Sequence, residues 1–312
     1  MTAPDTAGAP ASARVTVEVP ATSANLGPGF DALGLALSLF DEVSVELAGD
    51  GLEIVIRGEG EELAGLGEDH LIVAVFRRTW ERIGGAPRPE GLRLECVNRI
   101  PHSRGMGSSS AAIVAGITAA RALHPAGGSF SDADALRLAT EIEGHPDNVA
   151  PCLAGGLTVA WSGADGPRLV RLDLDREVTV FVPEQRLATE QARGLLPETV
   201  SHHDAAANSG RAALLIAALT SKLGYDVLLD ATEDRLHQSY RAPAMPGSAA
   251  LVERLRQAGV PAVVSGAGPT VLAFGWPSSG WPGVDTGNGW HIHQLNVSPF
   301  GARVQPRDSR TR

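Results

Sequence analysis

The chain has 312 residues, 43 % of them hydrophobic, enough for one large domain or two ordinary ones around a normal core. Its formal net charge of −10 argues against non-specific nucleic-acid binding and against an anionic membrane surface. No uninterrupted apolar run could span a bilayer, and Cys96 and Cys152 lack metal-type or CxxC spacing, so they read as buried thiols of a reducing, cytoplasmic compartment.

Residues 1–13 lack the charged and apolar regions of a secretory signal and read as a disordered lead-in. Val15, Val17 and Val19 alternate with polar residues, the pattern of a half-buried strand. A turn-rich loop over 20–31 carries Asn25 and Asp31. Residues 32–40 are mostly apolar, 42–47 alternate as a strand, and 52–56 form a second strand closing a hairpin. Leu71–Ile83 has helical spacing, and 92–100 deliver the chain as a strand to Gly105-Met106-Gly107-Ser108-Ser109-Ser110. The small and apolar residues 111–123 read as a tightly packed helix.

Ser131 or Asp132 caps a helix running to about Glu143. Pro146 and Pro151 exclude the segment between them from helix interior, and 155–161 is another strand. The turn formers of 162–167 mark the domain boundary, giving units at 14–165 and 166–304 before a loose tail at 305–312. Downstream come a strand at 178–182 and helices at 189–195, 204–219 and 249–258. Strands at 262–265 and 271–274 flank a second glycine turn, while 275–289, rich in Gly, Pro, Ser and Trp, has no assignable role. Strands and helices without strict alternation give an α+β class.

The glycine-serine stretch sits where a helix begins. Unpartnered N–H groups and the positive end of the helix dipole make that place suited to an anion. A phosphate cradle is one reading and a turn capping a helix is the other. It is not a Walker A loop, since no lysine follows, nor a dinucleotide fingerprint, which needs a third glycine. Phosphate would have to be held by backbone amides, hydroxyls and a metal.

Three stretches, VPATSANLGPGFDALGLAL from Val19, PHSRGMGSSSAA from Pro101 and VSGAGPTVLAF from Val264, resemble in order and spacing the three motifs of the GHMP kinase superfamily. The segment EIEGHPDNVAP from Glu141 and the stretch from Pro20 to Asp31 are especially similar to its homoserine kinase branch. The resemblance implies an N-terminal domain like ribosomal protein S5 domain 2, a ferredoxin-like C-terminal domain and an active site between them. It also implies transfer of phosphate from ATP to the side-chain hydroxyl of L-homoserine, a step of threonine biosynthesis. Expected partners are those two substrates and a second copy of the chain, with no nucleic acid and no membrane.

On this resemblance the loop from Pro101 through His102, Ser103, Arg104, Gly105, Met106 and Gly107 to Ser108, Ser109, Ser110 and Ala111 would hold ATP. Ser109 and Glu141 would hold Mg²⁺, with Glu143 the nearby rival of Glu141. Asp31 would meet the substrate ammonium and Asn25 orient either end, although both are also common turn residues. Asn148 would contact the reacting hydroxyl. Asp147 is expected to hold substrate while the proton passes directly to phosphate, as opposed to acting as a base. The carboxylate calls for an arginine fork, and Arg193, sharing a helix face with Thr189, and Arg241 are the candidates, with Gly266 bringing backbone close. His70 stands where relatives often have an Asn near the adenine, so it either substitutes or the contacts differ. Another small alcohol as acceptor, or a silent metabolite sensor, are the alternatives.

Overall fold

The computed structural model describes residues 13–221, 223–275 and 285–306 and divides them between two sheets. The alternating valines open β1 (Arg14–Ala24), antiparallel to the long β2 (Leu33–Ala48) with a bulge between Pro20 and Ala21. The expected loop from residue 20 is therefore strand as far as Ala24.

The expected hairpin does not form. β3 (Leu52–Gly58) pairs in parallel with β4 (Gly91–Asn98), and β4 lies between it and β2. A parallel pair needs a crossover, and the segment containing α1 (Leu71–Ile83) supplies it. Alternation tells which residues point inward but not which strand lies alongside.

α2 (Ser108–Leu123) is the central helix, packed on α1, α3 (Asp132–Glu143), α4 (Pro146–Ala154) and β1. Its buried Ala111, Ala115, Ala119 and Ala120 let these neighbours approach closely. Ser131 caps α3 in a full capping box with Asp134. α4 corrects the reading of its prolines. Pro146 occupies the first turn, where its missing N–H would be unpartnered anyway, and Pro151 is tolerated inside this short helix.

The expected boundary at 162–167 is also wrong. It is the hairpin turn between β5 (Leu157–Gly163) and β6 (Gly166–Leu172), which extend the first sheet beside β2. The chain crosses between Leu172 and β7 (Glu177–Pro183), the start of the second sheet. There follow α5 (Thr189–Arg193), α6 (His202–Thr220), α7 (Tyr225–Ala231), α8 (Gln238–Arg241), α9 (Pro246–Gln257), β8 (Ala262–Val264), β9 (Val271–Phe274) and β10 (Trp290–Asn296). The second sheet runs β10-β7-β9-β8, antiparallel throughout. Alternate residues serve two cores. Val178, Val180 and Leu272 join the main cluster with Leu215 and Leu219 of α6, while Phe181, Val271 and Ala273 pack on Leu251 and Leu255 of α9.

β11 (Arg303–Val304) then returns to pair with β1, so the first sheet contains the end of the described chain. Among the described residues no helix is long and apolar enough to cross a membrane. Most of the segment without an assigned role, 276–284, and the termini at 1–12 and 307–312 lie outside the described residues.

Candidate active site

The glycine loop lies where the two sheets meet. Its carbonyls are taken by neighbours: Leu187 N–H donates to Ser103, Thr270 N–H to Arg104, Ser265 Oγ–H to Gly105 and Thr22 N–H to Met106. Gly107 precedes α2 at φ 72°, and a Cβ there would sit 1.9 Å from Thr22 Oγ1, so only glycine fits. No side chain caps α2. The first-turn N–H groups thus start at the loop with the positive helix end behind them, which suits phosphate.

Ser108 and Ser109 line two cavities. On one side is a space of about 240 Å³ walled by Val19, Val43, Leu63, Leu66, Ile72 and Ala112, with Ala111, His70 and His102 also at its surface. His70 is buried, its Nδ1 has no hydrogen-bond partner, and burial, then His102, pulls its pKa down, so it is a neutral imidazole. On the other side is a polar cavity of about 150 Å³ that brings together Ser103, Gly105, Gly107, Asn25, Asp147 and Asn148. Thr189, Arg193, Arg241 and Gly266 close it from the second sheet's side.

Two predicted loop members face elsewhere. The Arg104 side chain straps the loop to the second sheet, donating to the carbonyls of Pro183 and Glu184. Met106 is fully buried and serves packing. Pro101 is buried as the chain enters the loop.

Glu141 is not the carboxylate beside Ser109. It lies on the outer side of α3, paired with Arg78 at 3.4 Å and Arg82 at 2.8 Å. Glu143 Oε1 accepts from Ser109 Oγ at 2.8 Å and from Ser110 Oγ at 2.9 Å. Two residues along a helix turn about 200°, so Glu141 and Glu143 face opposite ways. Two hydroxyls converging on a carboxylate oxygen form a hard-oxygen donor set that fits Mg²⁺.

Past Glu143, Gly144 ends α3 at φ 92° and α4 starts at Pro146. This short turn aims Glu143, His145, Asp147 and Asn148 at one cavity. Asp147 is only 2 % exposed and accepts from His145 Nδ1, so its carboxylate is turned to a histidine that sequence reading gave no role. Burial lowers the His145 pKa, but the Asp147 hydrogen bond and charge outweigh it and the net direction is up. Asn148 Oδ1 accepts from Thr22 Oγ1.

In the first loop Asn25, Leu26 and Asp31 all take positive φ. Asn25 is a brace: its Oδ1 accepts from Asp31 N–H and its Nδ2 donates to Gly266 O across the domains. Asp31 is not held apart from the arginines, as opposite ends of a bound zwitterion would require. Arg193 grips it with two bonds at 2.5 and 3.1 Å. Burial lowers the Arg193 pKa, and the Asp31 bond and charge more than reverse that. Arg241 is different. It is 1 % exposed, donates to Ala192 O, His237 Nδ1 and Gly266 O, and has no carboxylate within ion-pair distance among the described residues. Burial, then the neighbouring Arg193, pull its pKa down. Asp31, Asp234 and Asp147 act against that shift from beyond contact, and a buried cation with no carboxylate at ion-pair distance, facing a cavity, suits an anionic ligand group.

A family model described as the GHMP kinases N terminal domain matches residues 70–156, and one described as GHMP kinases C terminal matches 207–279. A Streptomyces avermitilis protein named homoserine kinase is 56 % identical over 299 residues, covering 95 % of this chain and 97 % of that one. A homoserine kinase of Streptomyces coelicolor is 55 % identical over 300 residues, with 95 % and 96 % covered. The crystal structure of homoserine kinase from Cytophaga hutchinsonii superposes with a TM-score of 0.79 at 26 % identity, covering 94 % of this chain and 97 % of that one.

Proposed function

The chain belongs to the GHMP kinase family, in its homoserine kinase branch, and on that premise we propose that it transfers the γ-phosphoryl group of ATP to the side-chain hydroxyl of L-homoserine. What supports the substrate choice is a pair of opposite charges: Arg241, a buried guanidinium at the far wall of the cavity with no carboxylate at ion-pair distance among the described residues, calls for an anionic group, and Asp31, held by Arg193, for the cationic group that separates an amino acid from mevalonate. An α-amino acid brings that carboxylate. Its ammonium then competes with Arg193 for Asp31, so one small zwitterion satisfies both groups.

In this reading the nucleoside occupies the apolar cavity and the triphosphate follows the amides of Ser108 and Ser109 into the polar one. Ser109 and Glu143 hold Mg²⁺, which when bound neutralises charge on the phosphate oxygens. Asn148 faces the acceptor hydroxyl, Thr189 and Gly266 border the amino-acid end, and Asp147, bonded to His145, borders the same cavity. Transfer between two positioned oxygens needs alignment and charge stabilisation more than a strong base. The reading includes a cytoplasmic homodimer, to be checked by sedimentation.

The test is ADP release with L-homoserine, mevalonate, galactose or no acceptor. Release that depends on homoserine alone is expected. Release driven by mevalonate or galactose reassigns the acceptor, and none with any acceptor makes the chain a binding protein.

A further inference from the structure

Two guanidiniums in one small cavity repel each other, and the Arg241 pKa is lowered partly by Arg193. The Phe30 ring lies under both, with the Arg193 guanidinium carbon 5.7 Å and that of Arg241 5.4 Å from its centroid. It also stacks on His237 at 5.1 Å with 26° between planes.

The ring has a fixed seat. His237 is fully buried, and burial keeps it neutral. Its Nε2–H donates to Gly27 O at 2.8 Å, which leaves Nδ1 to accept from Arg241 at 3.2 Å. Asn208 Nδ2 donates to Pro28 O at 2.7 Å, tying the same loop to α6. The next residue, Asp31, supplies the carboxylate on Arg193. One dipeptide thus serves both cations: Asp31 neutralises Arg193, and Phe30 offers its ring to Arg193 and Arg241 together.

We propose that Phe30 is a positioning residue for amino-acid recognition, its aromatic face holding the Arg193 and Arg241 guanidiniums at the spacing that grips the substrate carboxylate. It does not line the cavity itself, so it acts through the arginines. An aromatic face stabilises a desolvated cation where an aliphatic side chain of similar size does not.

The experiment measures homoserine kinetics and ADP affinity for Phe30→Leu, Phe30→Tyr, Arg241→Leu and the Phe30→Leu/Arg241→Leu pair. Phe30→Leu should raise the homoserine KM roughly tenfold, with kcat and ADP affinity within about threefold. Phe30→Tyr keeps the ring and should recover most of the affinity. On the Arg241→Leu background, Phe30→Leu should add little further loss, because its effect runs through that arginine. Losses that multiply, an unchanged KM, or a parallel fall in kcat and ADP affinity would overturn the inference. Where Phe30→Leu does not fold, Phe30→Met takes its place, and failure of both makes Phe30 structural and ends the proposal. The inference rests on the homoserine reading, and the two fail separately. A wild type without homoserine-dependent ADP release sinks the reading, whereas an active wild type with a normal Phe30→Leu sinks only this inference.

Discussion

Glu141 and Glu143 form a natural pair of controls. They sit two residues apart on α3, one against Arg78 and Arg82 and the other on Ser109 and Ser110. Glu143→Gln should lower kcat at least tenfold, about 1.4 kcal/mol in the barrier, while Glu141→Gln loses only exposed ion pairs and should stay within about twofold. Equal effects in steady-state kinetics would remove Glu143 from the metal site. Asp41 allows a test of electrostatics. Burial pushes its carboxyl up from 3.8 to about 6, partly offset by hydrogen bonds from Ile100 and Arg99 N–H. The folded state therefore binds this proton more tightly than the unfolded chain. Stability from this group is present below pH ~4, falls as pH rises through the window to about 6, and stays lost above it, on the order of 3 kcal/mol. Asp41→Asn keeps an oxygen for both N–H groups and removes the buried charge. It should be more stable than wild type at pH 8, with the gain shrinking toward pH 4.5. Denaturation midpoints showing the same gain at both pH values would contradict this. Placement is legible in the sequence for Ser109, Arg193 and Arg241, which line one polar cavity. Choosing Glu141 over Glu143 failed because helix phase, not sequence distance, decides which carboxylate faces the serines.

Elements with strong periodicity or clear caps were readable. The helical spacing of Leu71–Ile83 matches α1 at both ends, and Ser131, one of the two expected caps, is the N-cap of α3. The short α8, which carries Arg241, spans four residues and has too few positions to show a period. The prolines of α4 argue against a helix at the level of sequence, and its tertiary setting explains the one that forms. Its first turn rests on β2, where a Cβ on Gly34 would fall 2.1 Å from Asp147 O and 2.7 Å from Pro151 Cγ. Gly34 thus sets the height of the turn that carries Asp147 and Asn148. Gly34→Ala must lift α4 or bend β2, with an expected stability loss of about 1–3 kcal/mol and a fall in kcat larger than any change in ADP affinity. A variant with wild-type melting and kcat would show that α4 does not depend on this contact.

At the scale of the molecule, the α+β class was legible and the partition was not. Turn residues at 162–167 look the same whether they end a domain or join two strands, and here they join β5 to β6. The return of β11 to β1 is a pairing between residues nearly a chain length apart, and two-residue strands carry no pattern. These pairings matter for function because they draw the first loop, the phosphate loop and the second glycine turn to one place. Asn25 and Arg241 both bond Gly266 O, and Ser265 bonds the phosphate loop, so the amino-acid end and the phosphate end share one frame. In this frame the buried Arg241, with no carboxylate at ion-pair distance among the described residues, is the group proposed to bind the acceptor's carboxylate. The most direct test compares kcat/KM for L-homoserine in wild type and Arg241→Leu, with ADP affinity measured alongside. Loss of a charge-assisted hydrogen bond predicts a fall of about ten- to a hundredfold in kcat/KM and an ADP affinity within threefold. An Arg241→Leu enzyme that uses homoserine as well as wild type does would contradict the account.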